Sequence, residues 1–278
     1  MSNQPQRVNA GIFRNGNKMK NHRVLLLLLI AGLSAVCVTT TTGGFNVEPS
    51  AEEAVDDYIQ LAIAYYDAGD LVNARRHLSN ALELNVRSSE LYNILALVMQ
   101  AEGDLELAAD TFERSIRIDR TNSRARNNYA ALLYSMDDYE GAYDQLAEVT
   151  QDTMYEGRAF AFESLGRSAL RLQRNEEAEL AFQRALQLNG NLYVSAIELA
   201  ILRAARQDWE GARRVFRQYL TTMEFYNLPH SPRALLAGIK IESKFQNSDV
   251  VDDFTRILTT LYQETPEYQE YLRLNDVN

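Results

Sequence analysis

Residues 89–122 read SELYNILALVMQAEGDLELAADTFERSIRIDRTN, one copy of a 34-residue segment that recurs along the chain. Three columns align in successive copies: an alanine, a small residue twelve positions before it, and a large apolar residue four positions after it. The alanines are Ala74, Ala108, Ala142, Ala178 and Ala212; the small residues are Ala62, Ala96, Ala130, Gly166 and Ala200; the large residues are Leu78, Phe112, Leu146, Phe182 and Phe216. A fixed period of this length predicts an array in which each unit packs against its neighbours.

The residue types in these columns suit pairs of packed helices. No proline occurs between Pro49 and Pro229, and this stretch is rich in Ala, Leu, Glu and Arg, which favours helices. Small side chains let two helices cross closely, while Leu and Phe fill the space beside the crossing. The turns Gly69-Asp70 and Gly103-Asp104 offer a helix end followed by a cap for the next helix. The pattern is that of the tetratricopeptide repeat and predicts an all-α fold, a right-handed superhelix of about six helix-turn-helix repeats.

The repeat register divides the body of the chain into segments. Five units cover residues 55–226, with two extra residues in the Gln151–Gly157 loop before the fourth unit. Residues 227–278 are expected to hold a degenerate sixth unit, in which Val250 replaces the column alanine, and a C-terminal capping helix that opens at Thr265-Pro266. Departure from the repeat pattern is common in a terminal, capping unit.

The first 54 residues have a different composition from the repeats. Basic residues precede an apolar run from Val24 to Val38, which is shorter than the ~20 residues of a membrane span. The run ends in Leu33-Ser34-Ala35-Val36-Cys37, which resembles a bacterial lipoprotein signal whose cysteine is acylated. We therefore predict a signal peptide at 1–36, with Met19 as an alternative start, then lipidated Cys37 and a polar tether at 37–54. An ordinary cleaved signal or an uncleaved anchor is the competing interpretation.

Charge and chemistry-bearing residues limit the classes of function. The five basic residues before Cys37 have no acidic residue among them, whereas the remainder carries 23 basic and 38 acidic residues. A body this acidic repels phosphate backbones, so no nucleic-acid partner is expected. One cysteine and three scattered histidines form no recognisable metal-binding or disulfide pattern.

These residues predict no catalytic residue, no metal site and no cofactor, and we expect that the protein is not an enzyme. His77 on an outer helix and His230 in a loop are expected to be solvated. Arg213 and Arg214 are likewise interpreted as part of a solvated helix face that carries salt bridges.

The first helix of each unit is expected to line the concave face of the superhelix, so its outward positions are candidates for partner binding. In unit one, Leu61, Ala62 and Tyr65 are assigned to packing, which would leave an apolar stripe facing the groove. The predicted partner-binding residues are Ile59, Ile63, Tyr66, Asn93, Leu97, Asn127, Tyr134 and Arg167. Burial against neighbouring repeats is the alternative for the apolar members of this set.

The signal, the acylatable cysteine and the repeats together resemble the PilF/PilW family of type IV pilus biogenesis lipoproteins. The segments that carry the resemblance are Asp57–Ala62, Asn127–Tyr134, Ala142–Leu146, Thr150–Tyr155, Glu163–Gly166, Arg233–Ile239 and Glu267–Tyr271. The resemblance implies a pilotin: a lipoprotein on the periplasmic face of the outer membrane that binds secretin subunits and promotes their localisation and multimerisation. Other pilus assembly proteins are further implied partners.

Two other functions compete with this interpretation. A lipid-anchored periplasmic scaffold for cell-wall or envelope enzymes would share the repeats and the anchor but not the Gln151–Tyr155 loop. An enzyme would need a catalytic domain, and only about a dozen residues remain after six units.

Overall fold

The computed structural model describes residues 50–275, and every regular element in that range is an α-helix. The helices are α1 (Ala51–Asp67), α2 (Leu71–Glu83), α3 (Ser89–Glu102), α4 (Leu105–Ile118), α5 (Ser123–Ser135), α6 (Tyr139–Val149), α7 (Arg158–Arg171), α8 (Asn175–Leu188), α9 (Tyr193–Ala205), α10 (Trp209–Phe225), α11 (Pro232–Ser243), α12 (Ser248–Leu261) and α13 (Pro266–Asn275). The predicted all-α fold is confirmed. The predicted signal peptide, Cys37 and most of the predicted tether lie outside the described residues.

Helices α1 to α12 pack as six consecutive pairs, and α13 packs against α11. The five column alanines from Ala74 to Ala212 are completely buried where the two helices of each pair cross. Phe112, Phe182 and Phe216 are also completely buried beside these crossings. The repeated pattern of small and large residues therefore forms the core of the array. Among the described helices, none is both long enough and apolar enough to cross a membrane.

The turn inside each pair uses one backbone conformation. Gly69 and Gly103 end the first helix in the left-handed region, with φ of 76° and 93°. The equivalent residues Asp137, Gln173 and Gln207 adopt the same conformation without glycine, with φ of 63°, 60° and 64°. The residue that follows caps the second helix: Asp70, Asp138 and Asp208 each accept a hydrogen bond from a backbone amide of the first turn. Asp104 occupies the same position without a side-chain capping bond.

The longer connection between α6 and α7 is held by side-chain hydrogen bonds. Asp152 accepts one bond from the backbone amide of Met154 at 2.9 Å and another from the Ser123 hydroxyl at 2.6 Å. Arg158 donates from Nε to the carbonyl oxygen of Thr150 at 2.8 Å. The two extra residues predicted in this loop therefore form a defined turn between the third and fourth pairs.

The sixth pair contains tight packing around a glycine. Gly238 of α11 faces Phe254 of α12 and Phe216 of α10, and both rings are buried. The last helix, α13, begins after Thr265, whose hydroxyl oxygen accepts a hydrogen bond from the amide of Tyr268 at 3.3 Å. Pro266 occupies the first helical position, where the missing amide hydrogen costs no helical bond.

One arginine expected to be solvated is instead half-buried in an ion pair. Arg213 donates from Nε and Nη2 to the carboxylate of Glu242, at distances of 3.1 Å and 2.8 Å, and the Glu242 side chain is only 3% exposed. Asn247 donates a further bond to the same carboxylate at 2.8 Å. The expectation failed because α11 supplies a buried acid opposite α10. Arg214 is exposed, as expected.

The two histidines of the described range are not simply solvated. The His77 ring stacks on Tyr65 with a centroid distance of 5.3 Å, and its Nδ1 is buried without a hydrogen-bond partner. His230 is hydrogen-bonded through Nδ1 to the Tyr219 hydroxyl at 3.1 Å, and its ring lies 5.3 Å from that of Phe254. Burial lowers the pKa of His230 below its ordinary value. Aromatic residues of adjacent helices cover both rings, which the sequence of a single unit does not reveal.

Candidate peptide-binding cleft

The first helices contact one another from α1 to α5 and again from α7 to α11, and we call their exposed faces together the inner surface. It consists of the exposed faces of α1, α3, α5, α7, α9 and α11. Along this row, α5 and α7 approach each other least closely. The wider spacing coincides with the longer connection at residues 150–157. A cleft of about 190 Å³ opens at this point.

Three of the predicted partner-binding residues line this cleft. Asn127 and Tyr134 come from α5, and Arg167 comes from α7. The Arg167 guanidinium lies over the Tyr134 ring, with its central carbon 5.1 Å from the ring centroid. The sequence-based assignment therefore brings together side chains that are 33 to 40 residues apart in the chain.

Two other predicted residues do not face the groove. Ile59 is 2% exposed and Asn93 is 0% exposed, so the expectation that they are available to a partner is wrong. Asn93 donates to Glu90 at 3.2 Å and accepts from Asn128 of α5 at 3.0 Å. Asn93 is therefore held at the contact between α3 and α5, whereas Asn127, one repeat further along in the same column, lines the cleft.

The remaining predicted residues neither line the cleft nor are fully buried. Ile63 and Tyr66 of α1 and Leu97 of α3 are half-buried and pack against the apolar core of the N-terminal units. Leu61, which was assigned to packing, is instead 44% exposed. The unit-one stripe is thus rotated relative to the prediction, and it offers less accessible apolar surface than expected.

Sequence reasoning missed Ser168, the third α7 residue that lines the cleft together with Ser164 and Arg167. The Ser168 side chain is completely buried, and its hydroxyl has no hydrogen-bond partner in the described residues. A signal was available: residues 167 and 168 are Arg-Ser, whereas the equivalent pairs in the other four regular units are Ile63-Ala64, Leu97-Val98, Ala131-Leu132 and Ile201-Leu202. Among these five units, only the fourth is polar at both positions.

A second cavity, of about 420 Å³, lies between α9, α11 and α13. Its apolar wall includes Ile201, Trp209 and Leu236. Both basic residues of its lining are already paired within the chain: Arg233 binds Glu198 at 2.8 Å, and Lys240 binds Glu270. The cleft beside Arg167 differs, because no carboxylate of the described residues lies within 4 Å of that guanidinium.

No group of three or more His, Cys, Asp or Glu side chains in the described range is arranged to hold a metal ion. The cleft itself contains a cation, an aromatic ring, hydroxyls and an amide, without a paired nucleophile and base. Such a surface can bind and orient a polypeptide segment.

Comparison with known proteins agrees with the repeat assignment. The tetratricopeptide repeat family model matches residues 89–122 and 161–192. The type IV pilus assembly protein PilF of Pseudomonas aeruginosa is 31% identical over 252 residues, covering 89% of this chain and 96% of that protein.

Solved structures give the same relationship. The structure of Pseudomonas aeruginosa PilF superposes with a TM-score of 0.72 at 32% identity, covering 81% of this chain and 99% of that one. PilW, described as a widely conserved type IV pilus biogenesis factor, shares the fold with a TM-score of 0.61 at 19% identity, covering 79% and 99% of the two chains.

Proposed function

This chain belongs to the PilF family of tetratricopeptide-repeat proteins of type IV pilus biogenesis, and we propose that it acts there as a pilotin. In this proposal it is an outer-membrane lipoprotein on the periplasmic face that binds secretin subunits and promotes their localisation and multimerisation. It acts by binding and carries no catalytic activity of its own. Pilus assembly proteins other than the secretin are additional candidate partners.

One observation carries the proposal: the inner surface has an open cleft between α5 and α7 where Asn127, Tyr134 and Arg167 converge. One wall of the cleft is α7, the helix that follows the connection holding Thr150–Tyr155, the segment whose sequence is not required by a generic repeat. An aromatic residue and an arginine are the side chains that most often dominate binding energy at protein interfaces. A secretin segment that lies along the inner surface would contact both.

Filling the cleft tests the binding role. Ala131 is exposed on α5 and lines the cleft, so Ala131→Trp should fill it without disturbing the core. Secretin multimers in isolated outer membranes and surface pili should then be lost, while the amount and helicity of the protein stay normal. Ala101→Trp is the matched control, because Ala101 is exposed on α3 outside the cleft lining. Normal multimers in the Ala131 variant would refute docking at this cleft.

The anchor is tested separately. Metabolic labelling with palmitate should mark the wild-type chain and not Cys37→Ala. Each acyl methylene buried in the bilayer contributes ~0.8 kcal/mol, and two or more chains are needed for stable attachment. A mature chain that begins downstream of Cys37 without lipid would refute the lipoprotein assignment and leave the binding role intact.

A further inference from the structure

We propose that the cleft between α5 and α7 binds a carboxylate side chain, an Asp or Glu of the docked segment. This inference rests on the proposed function for the identity of the partner, but the chemistry of the site is argued from the cleft alone. The site combines an unpaired cation, an unsatisfied buried hydroxyl and an aromatic wall.

Arg167 supplies the cation. The other two arginines of α7 are engaged within the chain: Arg158 donates to the Thr150 carbonyl oxygen, and Arg171 contacts Tyr139 and Asp137. Within the described residues Arg167 makes neither kind of contact, and its guanidinium lies over the Tyr134 ring. A guanidinium held in this way presents its N–H groups for bidentate bonding to a carboxylate.

Ser168 supplies the unsatisfied hydroxyl. Every other buried Ser or Thr in the described range makes a side-chain hydrogen bond; these are Ser89, Thr111, Ser115, Ser123, Thr150, Ser195 and Thr222. Among these buried hydroxyls of the described range, Ser168 alone has no partner, and it lies beside the cleft. A buried polar group without a partner is unfavourable, so an acceptor entering the cleft would stabilise it.

The opposite wall and the size of the cleft restrict the ligand further. Asn127 presents a side-chain amide from α5, and its amide nitrogen, the hydroxyls and the Arg167 guanidinium can each donate a hydrogen bond to a carboxylate. The remaining wall is apolar, formed by Ala130, Ala131 and Leu146, and suits the methylenes of the entering side chain. About 190 Å³ accommodates one side chain and is smaller than the ~300–1,000 Å³ of small-molecule sites.

The position of the cleft indicates that the carboxylate belongs to a side chain. The inner surface continues on both sides of the cleft, towards α3 and towards α9, so a bound segment can pass through rather than end there. We therefore assign the ligand as an internal Asp or Glu and treat a chain-terminal carboxylate as the competing outcome.

The test uses the full-length chain in detergent micelles and a phage-displayed library of random dodecapeptides as the probe. Selected peptides are resynthesised with capped ends, and their affinities are measured by fluorescence polarisation. We expect a shared Asp or Glu, and replacing it by Gln or Asn should weaken binding by about ten-fold or more. Arg167→Glu should reverse the preference, so that the Lys version of the peptide binds best.

Two further variants keep the test independent of folding. Ser168→Leu restores the residue that Leu132 and Leu202 supply in neighbouring units, so the protein should stay folded while peptide affinity falls at least ten-fold. Arg214→Glu is the matched charge-reversal control, because Arg214 is exposed on α10 outside the cleft lining. Its peptide affinities should equal those of the wild type.

Several results would overturn the assignment: selected peptides without an acid, equal binding of Glu and Gln versions, binding only through a free C-terminus, or binding unaffected by Ser168→Leu. The proposed function fails by a different result. If the Arg167→Glu protein shows the reversed peptide preference but cells carrying it assemble normal secretin multimers, the carboxylate site stands and the docking role does not.

Discussion

Replacing Gly238 by alanine should weaken the C-terminal end of the array and leave the N-terminal end unchanged. A methyl group at this position would lie 2.6 Å from Cζ of Phe216 and closer still to the Phe254 ring. Carbon atoms in contact prefer ~3.5–4.0 Å, so two rings on different helices would each have to move by about 1 Å. The two rings are buried, which leaves little space for that movement.

The net change in the free energy of unfolding is the difference between a cost of overpacking and a gain in helix propensity. Overpacking of a core costs about 1–3 kcal/mol, and two obstructing rings place this site in the upper part of that range. Alanine recovers about 1 kcal/mol because glycine is a poor helix former. The free energy of unfolding of the last units should therefore fall by about 1–2 kcal/mol. Hydrogen-exchange protection in α11 to α13 should drop by about 5- to 30-fold.

Native-state hydrogen exchange is the appropriate assay, because a repeat array opens locally and a single melting temperature averages over its units. Gly190→Ala is the control: a methyl group there would meet nothing closer than 3.4 Å, so protection should be unchanged or slightly higher. Unchanged protection in Gly238→Ala would show that the crossing of α11 with α12 is looser than described. An equal loss of protection in α1 to α4 would refute the nearest-neighbour model of stability.

Three more perturbations follow from the same structure. Arg213→Ala leaves the Glu242 carboxylate buried and should lower the urea-unfolding free energy by about 2–4 kcal/mol, most of it recovered by the double variant with Glu242→Leu. Burial lowers the pKa of His230, so the unfolded chain binds more protons than the folded chain, and the stability present above pH ~6.5 should be lost as pH falls through the folded pKa. His230→Asn should remove this pH dependence in thermal melts. Gln207→Gly should raise stability by up to about 1 kcal/mol in urea unfolding, because the residue has φ of 64°, and a loss of stability would contradict the strain argument.

The sequence could predict the packing within each unit because that packing is local. The small-residue, alanine and large-residue columns of one unit fall within about 16 residues, and the packing of a single helix pair buries them. Their burial at Ala108 and Phe112 follows from spacing alone, and so does the left-handed turn at Gly103. Because the same residues recur in five units, each unit is independent evidence for the packing predicted in the others.

The orientation of one unit against the next could not be predicted in the same way. Ile59, Asn93 and Asn127 lie in one column, yet the first two are buried and Asn127 lines the cleft, because α1, α3 and α5 contact one another more closely than α5 contacts α7. The partner of Arg213 lies 29 residues further along the chain, in a unit whose register is degenerate. No periodic pattern within one unit specifies either contact, so the sequence could not predict that these positions are buried.

Polar residues that replace apolar residues of the repeat pattern fall into two groups: those that find a partner within the described chain and those that do not. Glu242 occupies the position that Tyr66, Gln100, Tyr134, Leu170 and Ala204 hold in other units, and it is buried, yet Arg213 and Asn247 bind both of its oxygens. The chain therefore satisfies that departure itself. Arg167 and Ser168 also replace apolar residues, but the described chain provides neither a carboxylate for the first nor a hydrogen bond for the second. A polar substitution without an internal partner lowers stability unless another molecule completes it. The fourth unit is therefore where this array is best suited to bind.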